Sequence, residues 1–356
     1  MKDATYIKRC LELAEKTKGY TAPNPMVGAL LVYQDVIIGE GWHRQYGTAH
    51  AEVNCIENVA AHLKHLIPES TLYVSLEPCA HYGKTPPCAL RLINERVKKV
   101  VICNDDPFHR VAGRGIEMLK QNGIEVVKNV LDTEGKWLNR RFFCFHQSKR
   151  PYIILKWAET SNGFFAPADR SRFQISNKHS TQLVHQWRTE ESAILVGFNT
   201  ALHDNPQLTA RSFKGRQPLR IALDKDLRLP ETHQLYSTAA PTWIINQHRH
   251  DITSQPVYIK TTFDNSILTN ILSELYTANI QSLIVEGGAQ VLTSFIEQDL
   301  WDEARVFKAP GTLANGLPAP LLPHCNEVMR TEIDNDMLHV YTHLENPFSY
   351  IPGMSL

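Results

Sequence analysis

Two short runs constrain this chain more than anything else in it. One is His50-Ala51-Glu52; the other is "LEPCAHYGKTPPC" at 76–88, which holds Cys79 and Cys88. A fold that uses them together must bring distant segments to one point. The two cysteines alone leave metal ligation, a disulfide and idle loop thiols all open. The chain has seven cysteines, an odd number, and its N-terminal "MKDATYIKRCLELAEKTKG" is charged and patterned like an amphipathic helix. Both features favour reduced thiols in a cytoplasmic setting over a disulfide framework behind a signal peptide.

A catalytic zinc takes three protein ligands and keeps a fourth position for water. His50, Cys79 and Cys88 supply that number, and thiolates with an imidazole suit zinc. Bound water then ionises near a pKa of about 7. Glu52, two residues beyond the histidine, is placed to take its proton and hand it to a leaving amine. Hydrolytic deamination needs this combination, and His-x-Glu with Pro-Cys is the pattern of the zinc deaminases. A purely structural zinc would want a fourth protein ligand, for which His81 is the one nearby candidate in sequence.

Composition narrows the partners. Lysine plus arginine and aspartate plus glutamate stand at 37 each in 356 residues, so there is no basic footprint for nucleic acid. No run of about 18 apolar residues suggests a membrane span. A small molecule is the expected partner. A nucleic-acid cytidine or adenosine deaminase would call for a basic groove with stacking aromatics. A homo-oligomer is compatible with the sequence but not readable from it.

The length exceeds one hydrophobic core and implies two domains. The first 130 residues alternate strand-like and helix-like segments, an α/β pattern. Strands are expected at 27–33, 36–42, 71–76 and 98–104, and helices at 4–18, about 50–65 and 113–122. Residues 128–151 read as a connection, with the boundary at 147–151, giving domains 1–147 and 148–356. Beyond it a second α/β unit begins, with strands at 152–158, 192–197, 219–224, 242–246 and 281–288. Helices fit at about 176–189 and 288–298; the interval 224–280 has no clear order.

The stretches "APNPMVGALLV" (22–32), "GWHRQYGTAHAE" (41–52), "SLEPCAHYGKTPPC" (75–88) and "DDPFHRVAGRGIEMLKQNGIEV" (105–126) resemble the bifunctional deaminase/reductase family of riboflavin biosynthesis. The Cys-x8-Cys loop departs from the Cys-x-x-Cys of most cytidine deaminases and is shared with that family. The resemblance implies a cytidine-deaminase-like three-layer domain with zinc on His50, Cys79 and Cys88 and Glu52 as proton carrier. It places Asn24, His43, His81 and Lys84 around a phosphorylated pyrimidine.

In the second half, "LKWAETSNG" (155–163), "LVGFNTALHDNPQLTAR" (195–211) and "LIVEGGAQVL" (283–292) resemble the reductase half of the same family. That half is a dihydrofolate-reductase-like α/β domain that uses NADPH. No Gly-x-Gly-x-x-Gly fingerprint is present, but the glycines before 289 would let helix amides approach a phosphate. The resemblance implies that Ala158, Thr200, Asp204, Gly288, Ala289, Gln290, Val291, Leu292, Thr293 and Ser294 contact the dinucleotide. Arg188, Leu208, Arg211 and Glu286 would face the substrate, the arginines suiting its phosphate. Lys156 would polarise a sugar carbonyl or imine or relay a proton, or else point to solvent. Two segments depart from the family, Thr160-Ser161-Asn162-Gly163 and "SRFQIS" (171–176). In the second, Ser171 or Arg172 falls to the substrate and Phe173 or Gln174 to the cofactor.

Overall fold

The computed structural model describes residues 2–80, 82, 86–108, 112–169 and 173–356. They divide into two compact units, Met1–Ser148 with Phe348–Leu356, and Lys149–Pro347. The last residues of the chain therefore count with the first unit.

The first unit is built on five strands: β1 (Gly28–Tyr33), β2 (Val36–Trp42), β3 (Thr71–Leu76), β4 (Lys99–Asn104) and β5 (Glu125–Val127). Their order is β2-β1-β3-β4-β5. The first three run antiparallel, and β3, β4 and β5 run parallel. Alternation along β1 sends Ala29 and Leu31 to one face and Leu30 and Val32 to the other. The helix α1 (Lys2–Glu15) covers the second face with Ile7, Cys10 and Leu13. The first face receives α2 (Ala51–Glu57), α3 (Cys88–Asn94) and α4 (Arg114–Gln121) through Cys55, Ile56, Leu92 and Leu119. Three layers result.

Two local expectations are corrected. The helix expected to run to about 65 stops at Glu57, and 61–69 forms a tighter 3₁₀ segment containing Pro68. Proline lacks the N–H that a longer α-helix would need. The presumed connection after residue 128 folds into α5 (Asp132–Leu138) and α6 (Arg140–Ser148). Trp137, Leu138, Phe142, Phe143 and Phe145 are buried there, each stabilising by about 1.5–3 kcal/mol. The Trp137 indole N–H donates to the Ser355 carbonyl at 3.0 Å, which ties the C-terminal tail to this unit.

The second unit contains β6 (Tyr152–Thr160), β7 (Phe164–Pro167), β8 (Ala193–Val196), β9 (Leu219–Leu223), β10 (Thr242–Asn246) and β11 (Val257–Lys260). Five more strands follow: β12 (Ser282–Gly287), β13 (Glu303–Ala309), β14 (Gly316–Pro318), β15 (Cys325–Ile333) and β16 (Asp336–His343). Nine of them form one sheet in the order β11-β10-β9-β8-β12-β6-β13-β16-β15, while β14 pairs with β7. From β11 through β13 the strands are parallel; β16 and β15 close the sheet antiparallel.

Four helices connect the parallel strands: α7 (Lys178–Glu190), α8 (Phe198–Asp204), α9 (Ile267–Thr277) and α10 (Ala289–Glu297). Leu268, Ile271, Leu275, Leu292 and Phe295 of α9 and α10 pack on Ile153, Leu155, Val285 and Val306. On the other face Trp187 of α7 stacks against Phe307, ring centroids 5.6 Å apart. The previously unordered interval thus resolves into β10, β11 and α9. No helix among the described residues is long and apolar enough to cross a membrane.

Candidate active sites

In the first unit, the chemistry gathers where α2 and α3 begin. His50 is the residue before α2, with extended backbone (φ −73°, ψ 166°) and no side-chain cap on the helix. Glu52 lies in the first turn of α2, where a negative charge is favoured by the helix dipole, and is 3% exposed. Cys79 follows β3 through Glu77-Pro78, and Cys88 opens α3. The Cys88 amide donates to Cys79 Sγ at 3.3 Å, and the Ala89 amide donates to the Cys79 carbonyl at 3.1 Å.

His50 Nδ1 lies 3.6 Å from Cys79 Sγ and 3.3 Å from Cys88 Sγ. All three donor atoms fall within 4.8 Å of one another. Zinc bonds of about 2.3 Å to sulfur and about 2.0 Å to nitrogen, at tetrahedral angles, require N–S separations of about 3.5 Å. The donor set and its spacing fit that ion. The two thiols titrate as a pair. A hydrogen bond between them holds the Cys79 thiol down and pushes the Cys88 thiol up. Burial pushes the Glu52 carboxyl up to about 7, against the opposing pull of His50.

Asn24 and His43 stand beside this cluster. The His43 and His50 rings meet edge to face at 5.4 Å, and Asn24 Nδ2 is 3.1 Å from His43 Nε2. Desolvation lowers the His43 pKa, against the pull of the Ala49 carbonyl. The segment carrying Asn24 is pinned from behind by Asn139, whose side chain accepts from the Met26 amide at 2.8 Å and donates to the Met26 carbonyl at 2.9 Å. His81 and Lys84 lie outside the described residues.

Sequence reading missed two carboxylates here. Glu77 is 4% exposed and accepts from the amides of Asp106, Gly113, Gly115 and Ile116 at 3.0–3.3 Å. It caps α4 and thereby fixes the turn that presents Cys79. A side chain at Gly115 would meet the Pro78 carbonyl at 2.0 Å, so only glycine allows this approach. Asp106 is buried beside it, and desolvation pushes its carboxyl up to about 7. The available signal was their position: Glu77 precedes Pro78-Cys79, and Asp106 follows a strand end.

In the second unit, the predicted substrate residues gather at the carboxyl ends of β6 and β12, where ligands bind in open parallel sheets. Glu286 follows Val285, which pairs with Leu155, so it stands next to Lys156 on the neighbouring strand. Arg188, from the last turn of α7, grips Glu286 with both prongs, Nε to Oε1 at 2.8 Å and Nη2 to Oε2 at 2.7 Å. Its third nitrogen, Nη1, donates to the Thr209 carbonyl at 3.2 Å. Burial alone would raise the Glu286 carboxyl, but Arg188 and Lys156 hold it well below the usual carboxylate range. Lys156 is partly buried, and desolvation lowers its pKa against the pull of Glu286.

Leu208 is buried with left-handed backbone (φ 53°), an uncommon state for a branched side chain, and it leads into Thr209. Arg211 is exposed and pairs with no carboxylate among the described residues. Both arginines act on His185, a buried residue of α7 that sequence reading also missed. Desolvation, then Arg188 and Arg211, lower it to about 4.

The residues expected at the dinucleotide divide. Gly197 ahead of α8 donates to the Gly287 carbonyl at 3.0 Å, which sets the N-termini of α8 and α10 together. Thr200 faces Gly288 so closely that a Cβ there would meet Oγ1 at 3.1 Å. The first amides of α10, Ala289 and Gln290, have no intrahelical acceptor and suit a phosphate. Val291, Leu292, Thr293 and Ser294 follow within α10, and of these Leu292 is turned into the core. Ala158 is partly buried on β6 opposite Phe307. Asp204 is exposed at the end of α8, and Gln174 is exposed with its amide donating to the Ser176 carbonyl at 3.2 Å. Ser171 and Arg172 lie outside the described residues.

Residues 1–104 match the cytidine and deoxycytidylate deaminase zinc-binding region, and residues 151–323 match the RibD C-terminal domain. The riboflavin biosynthesis protein RibD of Aquifex aeolicus is 40% identical over 323 residues, covering 88% of this chain and 89% of the relative. The chain belongs to the RibD family. RibD of Escherichia coli is 32% identical over 338 residues, 89% of this chain and 91% of that one. Among solved RibD structures, the Thermotoga maritima diaminohydroxyphosphoribosylaminopyrimidine deaminase/5-amino-6-(5-phosphoribosylamino)uracil reductase superposes with a TM-score of 0.87 at 34% identity. It covers 96% of this chain and 98% of that one. Acinetobacter baumannii RibD gives a TM-score of 0.88 at 30% identity with the same coverage. The first unit is thus the cytidine-deaminase-like half of a RibD chain, and the second is its dihydrofolate-reductase-like α/β half.

Proposed function

We propose that the chain is a two-step enzyme of riboflavin biosynthesis. Its first unit hydrolytically deaminates 2,5-diamino-6-ribosylamino-4(3H)-pyrimidinone 5′-phosphate: water enters, the ring C–NH2 bond breaks, and ammonia leaves. Its second unit reduces the ribosyl chain to ribityl with a hydride from NADPH and a proton, releasing NADP+. The product is 5-amino-6-ribitylaminouracil 5′-phosphate. The observation that carries the deaminase reading is the three-donor cluster at tetrahedral spacing, with the buried Glu52 beside it.

His50, Cys79 and Cys88 would hold zinc, which supplies an acidified water at neutral pH. Glu52, buried and raised to about 7, is poised both to accept a proton and to give it up, as amine departure requires. Asn24 and His43, which stand beside the cluster, would line the pyrimidine and ribose-phosphate pocket with His81 and Lys84, the last two suiting the phosphate. In the second unit Lys156, held between burial and Glu286, is the proton carrier or polarising group at the sugar carbon. Ser171 or Arg172, together with Arg188, Leu208, Arg211 and Glu286, forms the substrate side. Thr200, Gly288 and the start of α10 hold the dinucleotide, with Ala158, Asp204 and Gln174 as further contacts. The partner is a small phosphorylated molecule rather than nucleic acid or membrane, and the setting is cytoplasmic.

A coupled assay tests the whole reading. Purified protein given the diaminopyrimidinone phosphate should release ammonia and then oxidise NADPH in proportion. Ammonia release without NADPH oxidation at saturating NADPH removes the second activity, and no ammonia from zinc-loaded protein removes the first.

A further inference from the structure

We infer that Arg220 is a positioning residue of the second unit: by holding the Gln207 carbonyl it keeps the loop 205–211, which carries Leu208 and Arg211, in its substrate-binding shape. That Leu208 and Arg211 face the substrate rests on the reductase reading above; the grip on the loop does not.

Alternation along β9 sends Leu219 and Ile221 into the core shared with α9 and α10, and Arg220 to the opposite face. Arg220 is fully buried there. Burial alone acts on its pKa, lowering it to about 10, so it stays charged at neutral pH with no carboxylate beside it. Carbonyl oxygens meet the charge instead. Nη1 donates to Gln207 at 3.3 Å and to Gln234 at 3.0 Å. Nη2 donates to Leu235 at 3.3 Å and to Ser237 and Ala240 at 2.7 Å each. All but Gln207 lie in the turn-rich segment between β9 and β10, so the guanidinium joins that segment to the loop after α8. Only its planar fork of donors can serve so many acceptors at once. Two further bonds tie the same segments. His233 Nε2 donates to the Leu202 carbonyl at 3.1 Å, and the Gln234 amide donates to Asn205 Oδ1 at 2.7 Å. Past Leu208, Arg188 Nη1 takes the Thr209 carbonyl at 3.2 Å. Two buried arginines from different elements thus hold the carbonyls on either side of Leu208, whose φ is 53°. That conformation is costly for a branched side chain and persists where its surroundings over-determine it.

Arg220→Lys keeps the charge but offers a single nitrogen, which cannot span Gln207 and the 234–240 segment together. Hydrogen exchange read by mass spectrometry should be faster in peptides covering 205–211 and 234–240, with β8 and β12 at the parent rate. Unchanged exchange in 205–211 overturns the grip whatever the protein catalyses. Kinetics give the second readout. KM for the deaminated intermediate should rise about tenfold, the size of one lost hydrogen bond, with kcat unchanged. A variant that is only destabilised would lose active protein instead, lowering kcat at the parent KM, and that result overturns the positioning role. A loosened loop with parent kinetics overturns it too. Should Arg220→Lys fail to fold, Asn205→Gly tests the same clamp at its edge. It keeps the left-handed backbone of residue 205 (φ 41°) and removes the acceptor for the Gln234 amide. KM should rise about threefold. Asn205→Asp, which restores the acceptor and tolerates the same backbone, should bring it back towards the parent value. Equal KM in the two Asn205 variants ends the proposal. Parent protein that oxidises no NADPH with the deaminated intermediate removes the reductase reading, and the exchange measurement still decides whether Arg220 holds the loop.

Discussion

Arg188 and Glu286 meet as a two-pronged ion pair at 2.8 and 2.7 Å, with only 11% and 7% of their side chains exposed. The arginine comes from the end of α7 and the glutamate from the end of β12, so the pair ties a helix to the sheet at the mouth of the second site. A pair this buried is not a strong net stabiliser, but removing one partner strands the other charge.

That asymmetry sets the first expectation. Glu286→Gln should destabilise the chain by about 3 kcal/mol at neutral pH. The effect should also depend on pH. The folded carboxyl is held below its unfolded value, so its contribution is present above about 4.3 and is lost as pH falls towards the folded value. In thermal melts the gap between parent and variant should narrow below pH 4. A gap that widens on acidification would contradict the depressed pKa.

Glu52→Gln keeps the size of the side chain and removes its proton chemistry. Deaminase turnover should fall by about 10²–10⁴-fold, with zinc content by metal analysis unchanged. Reduction of supplied deaminated intermediate should continue at the parent rate. Full deamination by the variant would take Glu52 out of the mechanism.

Glu77 lies behind the metal ligands, yet its loss should reach them. Glu77→Ala leaves four amides without their acceptor and should cost about 2–4 kcal/mol. The turn at Pro78 would loosen, and zinc affinity in a chelator competition should drop about 10–100-fold, as for other residues that orient ligands. Unaltered zinc affinity would confine Glu77 to capping α4.

Stripping the metal should split the two activities. After dialysis against a strong chelator, ammonia release should vanish and return on adding zinc. NADPH oxidation on the deaminated intermediate should survive, since the metal-ligand cluster His50, Cys79 and Cys88 lies in the first unit. Loss of both together would mean that the second site depends on the first.

How much of this was legible beforehand follows the range of each interaction. The zinc set could be read because short motifs announce it: His50 and Glu52 are two residues apart, and Cys79 follows a proline at a strand end. Glu77 stands in the same motif but was passed over, since its meaning lies in amides 29 to 39 residues later. Residues 132–148 read as a connection because charged residues interrupt their apolar pattern. They fold as two helices because Trp137, Phe142, Phe143 and Phe145 find a core to enter. The tail at 348–356 carried no signal that it would return to Trp137.

The sequence by itself determined the chemistry available: three zinc donors, a carboxylate two residues from one of them, and arginines with an acid and a lysine in the second half. It also determined the alternation that makes two α/β units, since strand and helix periods are local properties of the chain. Tertiary structure alone decided the states of those groups. Glu52 becomes a carboxyl near neutrality, Glu286 a firmly ionised one, and His43 a ring with both nitrogens spent inside the protein. Protonation and hydrogen-bond direction depend on burial and on the nearest charge, and these are set by segments that meet only when the chain has folded.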